Sequence, residues 1–154
     1  MKKIIFTILA LTLTSLALAA NHPITVFMTN YAGANMTKGM LVQAYNASNA
    51  FVSAGGNATQ VFGVLGSDCE NGTECHICVG GIADVLLEST GESWNSTAVP
   101  GNHVHAGPGN GTARANQTWA ESYYESNCTI GTAVEAQNGT GHYVKTLIRI
   151  HHNQ

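Results

Sequence analysis

The chain has 154 residues, enough for one domain, with 17 glycines, 44% hydrophobic residues and only 10% charged residues. Its formal net charge is −3. These values exclude an intrinsically disordered chain, which would have low hydrophobicity, and a coiled coil, which would be rich in Glu, Lys and Leu. They also exclude a nucleic-acid-binding protein, which would have a basic face.

Residues 1–20 have the layout of a secretory signal peptide. Two lysines precede an apolar run from Ile4 to Leu18, and small residues follow, so we expect cleavage after Ala19 or Ala20. The run is shorter than the roughly 20 residues of a membrane-spanning helix, which argues against a retained anchor. We therefore predict a secreted, extracellular protein, not bound to a membrane after cleavage, whose mature domain spans residues 21–154.

The mature chain begins with a strand-like arm, residues 21–30. Ile24, Val26 and Met28 recur at the two-residue period of a β-strand. Such an arm can pair within its own barrel, or it can add as a strand to the open edge of a neighbouring copy. A head-to-tail contact of the second kind does not close, so it produces a filament.

Short β-type runs separated by Gly and Asn turns fill the rest of the chain, and no segment has a sustained helical period, apart from a short candidate helix at Thr118–Tyr124. We predict an all-β fold, a single small β-barrel or sandwich. In the clearest strand, Val144, Thr146, Ile148 and Ile150 face one way and charged side chains face the other. The predicted strands are Ile24–Thr29, Gly39–Tyr45, Gln60–Gly66, Glu74–Val79, Ile82–Leu87, His103–Ala106, Cys128–Ala136 and His142–Ile150.

Four cysteines, an even number in an exported chain, predict two disulfides. Cys69 and Cys75 flank an Asn-Gly turn and can pair across a hairpin, whereas Cys75 and Cys78, three apart on a strand, point to opposite faces. Of the three connectivities, we prefer Cys69 with Cys75 and Cys78 with Cys128. The C-x-x-C spacing of Cys75 and Cys78 also fits a zinc site, which is the alternative interpretation.

Nine Asn-x-Ser/Thr sequons are the strongest chemical signal in the sequence. Eight of them end in Thr, which a simple preference for Asn-Gly turns does not explain. We predict dense N-glycosylation, because bulky, solubilising glycans would hydrate a surface that has few charges. The sequon asparagines are Asn35, Asn46, Asn57, Asn71, Asn95, Asn110, Asn116, Asn127 and Asn138.

The order of several short motifs resembles that of the small β-barrel cement or head-decoration proteins of tailed phages, over roughly residues 24–150. The resemblance implies a compact barrel with an N-terminal arm that packs against copies of itself and its neighbours. Phage cement proteins have no export signal, disulfides or sequon array, so only the fold and the habit of assembly carry over. The motifs are Lys38-Gly39-Met40-Leu41-Val42, Val61-Phe62-Gly63-Val64-Leu65, Val79-Gly80-Gly81-Ile82-Ala83-Asp84-Val85, Pro100-Gly101-Asn102-His103-Val104 and Ile130-Gly131-Thr132-Ala133-Val134-Glu135-Ala136.

No group of residues predicts catalysis, so we expect no enzymatic activity and no cofactor. The sequence has no nucleophile elbow, no carboxylate pair at glycosidase spacing and no phosphate-binding loop, and Gly80-Gly81 and Gly107-Pro108-Gly109 are interpreted as turns. His103 and His105 are weak candidates for a metal site, since no carboxylate adjoins them. Four aromatic residues are either a sugar or partner platform or part of the core. They are Trp94, Trp119, Tyr123 and Tyr124.

Together these features predict a secreted, N-glycosylated structural subunit that self-assembles with copies of itself into an extracellular filament or surface coat. The alternative is a monomeric extracellular module that binds carbohydrate or metal. Neither hypothesis involves nucleic acid.

Overall fold

The computed structural model describes residues 22–45, 49–56, 58–88, 97–116, 128–138 and 142–151. All regular structure in this part of the chain is β, which confirms the predicted fold class. The predicted helix at residues 118–124 lies outside the described residues. The strands are β1 (Ile24–Asn30), β2 (Leu41–Tyr45), β3 (Ala50–Ser53), β4 (Gly63–Leu65), β5 (Glu74–Leu86), β6 (Thr97–Ala98), β7 (His103–Ala106), β8 (Ala113–Asn116), β9 (Thr129–Ala133), β10 (Gln137–Asn138) and β11 (Tyr143–His151).

Five strands close into a barrel in the order β1-β3-β2-β4-β5, because β1 also pairs with β5. The β1–β3 pairing is parallel and the other pairings around the ring are antiparallel. The barrel interior is filled by a cluster of apolar side chains, in which Phe51 and Ile77 are fully buried. The alternation of inward and outward side chains in each strand supplies this core from short segments.

The remaining strands extend the sheet from the second half of β5 in the order β11-β9-β7-β8. β8 comes back to the end of β5 through a parallel bridge between Ala113 and Leu87. A second, larger cluster of buried apolar residues fills this part of the molecule, and it includes Val85, Val104 and Val144. β6 and β10 form a separate two-stranded sheet.

β5 is the long strand that serves both parts of the fold. Cys75 and Ile77 point into the barrel, whereas Ala83 and Val85 point into the second cluster. The odd-numbered side chains thus change from the barrel interior to the second cluster between these two stretches, and Gly81 there has a φ of +77°, a conformation that favours glycine. A β-bulge in the pairing with β1, between Ile24 and Thr25, lies next to it. The prediction that Gly80-Gly81 is a turn between two strands is therefore wrong, because these glycines re-aim one continuous strand.

The other predicted strands are present: β2, β4 and β9 are shorter than predicted, whereas β1, β7 and β11 agree with the predicted bounds to within one residue. The C-terminal strand also has the predicted faces. Val144, Thr146 and Ile148 are buried, whereas Lys145 and Arg149 are exposed. Four short strands, β3, β6, β8 and β10, were not predicted, because two to four residues are too few to show a period.

Gly39 joins the barrel to the second part of the molecule. Its N–H donates to the Leu65 carbonyl of β4 at 2.8 Å, and its carbonyl accepts from the Leu86 N–H of β5 at 2.9 Å. Its φ is +80°, and a β-carbon there would lie 2.8 Å from the Tyr143 ring and 2.9 Å from the Leu86 nitrogen. The position therefore needs glycine both for its backbone conformation and for the space.

We predict that Gly39→Ala destabilises the protein by about 3 kcal/mol, the sum of a positive-φ penalty and a steric clash with backbone. Gly33→Ala is the matched control, since Gly33 has a φ of +76° and nothing within 4 Å of its added β-carbon. The control should lose only about 1 kcal/mol. Urea unfolding of both variants measures the difference, and equal losses would contradict the steric role of Gly39.

Candidate assembly and glycosylation surface

Three sequon asparagines have described side chains, Asn35, Asn71 and Asn110, and all three are exposed. Asn71-Gly72 and Asn110-Gly111 form turns, as the sequence predicts, with positive φ at both glycines. Asn116 and Asn138 end β8 and β10. The other four predicted sequon asparagines, Asn46, Asn57, Asn95 and Asn127, lie outside the described residues.

Asn35 and Asn71 lie side by side at one end of the barrel. The Asn71 N–H donates to Asn35 Oδ1 at 3.0 Å, and the Gly33 N–H donates to Asn71 Oδ1 at 2.9 Å. Each side chain is thus held through its oxygen, while an N-linked glycan attaches to the amide nitrogen. The Asn71 loop is also tied to β1, because the Gly72 N–H donates to the Asn30 carbonyl at 2.8 Å.

The threonines of two sequons make the same local contact. Thr73 Oγ1 donates to the Glu70 carbonyl at 2.8 Å, and Thr112 Oγ1 donates to the Gly109 carbonyl at 3.0 Å. Each hydroxyl closes the turn that presents the asparagine. These threonines therefore serve the turn as well as the sequon.

The predicted disulfide between Cys69 and Cys75 is present, with the two Cα atoms 6.1 Å apart. It closes the loop that carries Asn71. Cys75 is thus committed to this bond and points into the barrel, whereas Cys78 belongs to the second core cluster, so the two cysteines do not converge on one zinc ion.

The predicted disulfide between Cys78 and Cys128 is wrong, because both remain buried thiols. Cys78 Sγ lies beside Gly66, whereas the Cys128 N–H donates to the Ala58 carbonyl at 3.0 Å. The sequence assigns this pair only because the other two cysteines pair with each other. A disulfide also requires the two Cα atoms to lie within about 7 Å, and a sequence does not give that distance. Burial raises the pKa of both thiols, so little of either is the reactive thiolate.

A pocket of about 310 Å³ lies between the barrel and the second half of β5. Lys38 Nζ contacts Asp84 Oδ2 at 2.7 Å on its wall, and this hydrogen bond and the carboxylate charge raise the pKa of Lys38. Lys145, also in the wall, pairs with Glu135 at 3.2 Å. The polar wall is therefore balanced in charge, and Cys78 lines it as a protonated thiol.

Exposed apolar and aromatic side chains collect on and beside β1. Ile24 and Phe27 are 64% and 51% exposed, and the Phe27 ring contacts His76 at 4.5 Å between centroids. Beyond the end of β1, Tyr31 stacks on Tyr45 at 5.1 Å. Sequence reasoning missed these rings, because the strand pairing brings them together; the predicted platform of Trp94, Trp119, Tyr123 and Tyr124 lies outside the described residues.

The arm residues divide between the barrel interior and its surface. β1 pairs with β5 and β3 of its own barrel, which is one of the two alternatives left open by the sequence. Met28 is buried in the barrel and Val26 packs against its core. Ile24 instead lies over Gly80 at the surface.

His103 and His105 lie on the same face of β7, with ring centroids 6.0 Å apart. His105 Nδ1 is 3.2 Å from Thr129 Oγ1. Within the described ranges, no three His, Cys, Asp or Glu side chains are grouped to hold a metal ion. Burial, followed by the charges of His103 and Arg114, lowers the pKa of His105 to about 4.

Searches of protein-family models and of curated proteins find no match to this sequence. Among solved structures, the fold is similar to that of the N base of head fiber gp8.5 of bacteriophage phi29, with a TM-score of 0.53 and 18% identity. The similarity covers 83% of this chain and 95% of that one. The predicted resemblance to phage structural proteins is thus confirmed at the level of the fold. In the described part of the chain, no helix has the length and apolarity needed to cross a membrane.

We predict that His105 makes stability depend on acid pH. The fold favours its neutral form, so its contribution is complete above the unfolded pKa of 6.5 and is lost as the pH falls towards about 4. His105→Asn should flatten this part of the curve of unfolding free energy against pH. His142→Asn is the control and should keep the slope, because His142 is exposed and is not among the groups that lower the pKa of His105. A wild-type slope in His105→Asn would contradict the assignment.

Proposed function

We propose that this chain is a secreted, N-glycosylated structural subunit that self-assembles into an extracellular filament or surface coat. The observation that carries the proposal is a division of the surface. The described sequon side chains are exposed in turns and loops. Of the seven large hydrophobic residues that are exposed in the described part of the chain, four lie on β1 or in the stacked tyrosine pair beside it.

Glycans on the turns would supply the hydration that the low charge does not. The apolar wall around β1 would then be the surface left bare for contact with other copies. The low charge also favours close packing, because like-charged neighbours repel one another. The N base of the phi29 head fiber supports the proposal through its fold, since a domain of similar fold there belongs to a fibre.

The position of β1 limits how it could add as a strand to a neighbouring copy. β1 already closes its own barrel and makes six paired positions with β5. Donation of the arm to a neighbour would therefore require the copies to exchange β1, as in domain swapping. Deletion of residues 21–30 would open the barrel, so it does not test assembly separately from folding.

We predict that the exported, glycosylated protein forms regular fibres or sheets by negative-stain electron microscopy. Dispersed monomers over the same concentration range would contradict self-assembly and would favour the alternative, a monomeric module that binds carbohydrate or metal. The described residues provide no third ligand beside His103 and His105 for a metal module.

The glycan part of the proposal is tested on the same material by intact mass. Asn35→Gln and Asn71→Gln should each lower the mass by one glycan. Asn49→Gln is the matched control, because Asn49 is exposed but begins no sequon. A wild-type mass equal to that of the bare chain would end the glycosylation proposal while leaving the microscopy result to decide assembly.

A further inference from the structure

We call the side of β1 that faces β3 its outer edge, and most of this edge has no strand partner among the residues that the structure describes. Asn30 donates its N–H to the Thr73 carbonyl on the β5 side, whereas Thr29 and Tyr31 donate theirs to Asn49 and Phe51 on the β3 side. Backbone groups alternate in direction along a strand, so the N–H and C=O groups of Thr25 and Phe27 also point to the β3 side.

β3 does not reach these two residues. Its pairing with β1 is limited to Thr29 and Asn30. In the ranges that the structure describes, no other strand lies along β1 from Ile24 to Met28 on that side. Among the described residues, Thr25 and Phe27 therefore present backbone donors and acceptors that no strand pairs with on this side.

The side chains on this edge do not protect it. Natural edge strands are usually protected from pairing with other chains by charged residues, by proline or by a helix or loop that covers them. β1 contains no Asp, Glu, Lys or Arg. Pro23 limits the edge at its beginning, and from there Ile24 and Phe27 are more than half exposed. The edge therefore favours an uncharged, extended strand as its partner.

We infer that the outer edge of β1 pairs antiparallel with the same edge of a second copy, centred on Val26. In this register Thr25 of each copy faces Phe27 of the other, and the two residues exchange their N–H and C=O groups as a hydrogen-bonded pair. A second copy is the occupant that the residues favour, because the edge carries no charge to select another partner and is self-complementary about Val26.

This contact rests on the proposed function and specifies one of its interfaces. It is isologous, so by itself it closes into a dimer with twofold symmetry. A filament or coat would then be built from such dimers through a second surface. The Phe27 side chain of each copy would lie beside Thr25 of the other in the same step, which adds a cross-strand side-chain contact to the hydrogen bonds.

Thr25→Pro tests the edge at the level of the backbone. It removes an N–H that points away from β5, and proline is tolerated on an edge strand when its missing N–H faces solvent. We expect the folded variant to associate roughly tenfold or more weakly than wild type, since each dimer loses two hydrogen bonds. Sedimentation velocity of the glycosylated protein over a concentration series measures this, and thermal unfolding monitors the fold.

Phe27→Lys is the second variant, and it keeps the test decisive if Thr25→Pro does not fold. It places a charge on the edge without altering the backbone. Val134→Lys is its matched control, because Val134 is 41% exposed and lies beyond β9, away from β1. The control should associate like wild type.

The outcomes separate this contact from the proposed function. Wild-type association that is weakened by the β1 variants and kept by Val134→Lys supports the edge. Association that persists unchanged in folded Thr25→Pro and Phe27→Lys would overturn the edge and leave self-assembly standing. A wild type that stays monomeric throughout would overturn self-assembly itself, and this contact with it.

Discussion

The pairing of β1 with β5 is the contact on which the rest of the structure depends. It closes the five-stranded ring, and without it the barrel would open between β1 and β5. Met28 on β1 would then leave the buried cluster that it shares with Phe51 and Ile77. Since a closed ring removes strand edges that would otherwise be open, this one pairing protects most of the barrel from non-specific strand addition.

The same pairing determines what the surface displays. Because β1 uses one edge to close the barrel, its other edge is left towards solvent beyond the short contact with β3. The loop that carries Asn71 is held against the C-terminal end of β1 by the backbone hydrogen bonds of Asn30 with Gly72 and Thr73. The Cys69–Cys75 disulfide closes this loop. In the proposed function, glycans and assembly surface are thus arranged around a single strand.

Much of the fold follows from local sequence patterns. The alternation at Ile24–Thr29 and in the C-terminal strand predicted β1 and β11, and the Asn-Gly turn between Cys69 and Cys75 predicted a disulfide that is present. The path of β5 could not be predicted in this way, because Gly80-Gly81 is typical of a turn unless both neighbours in the sheet are known. Cys78 and Cys128 were likewise assigned to a disulfide without knowledge of the distance between them. The Tyr31–Tyr45 stack depends on strand order rather than on sequence spacing.

Site-resolved amide hydrogen exchange on β1 tests the central claim most directly. In dispersed protein, the Val26 and Met28 amides, which face β5, should exchange slowly, whereas the Thr25 and Phe27 amides, which face outward, should exchange rapidly. On assembly, Thr25 and Phe27 should become protected. Rapid exchange at all four amides in folded, dispersed protein would contradict the closure of the barrel by β1.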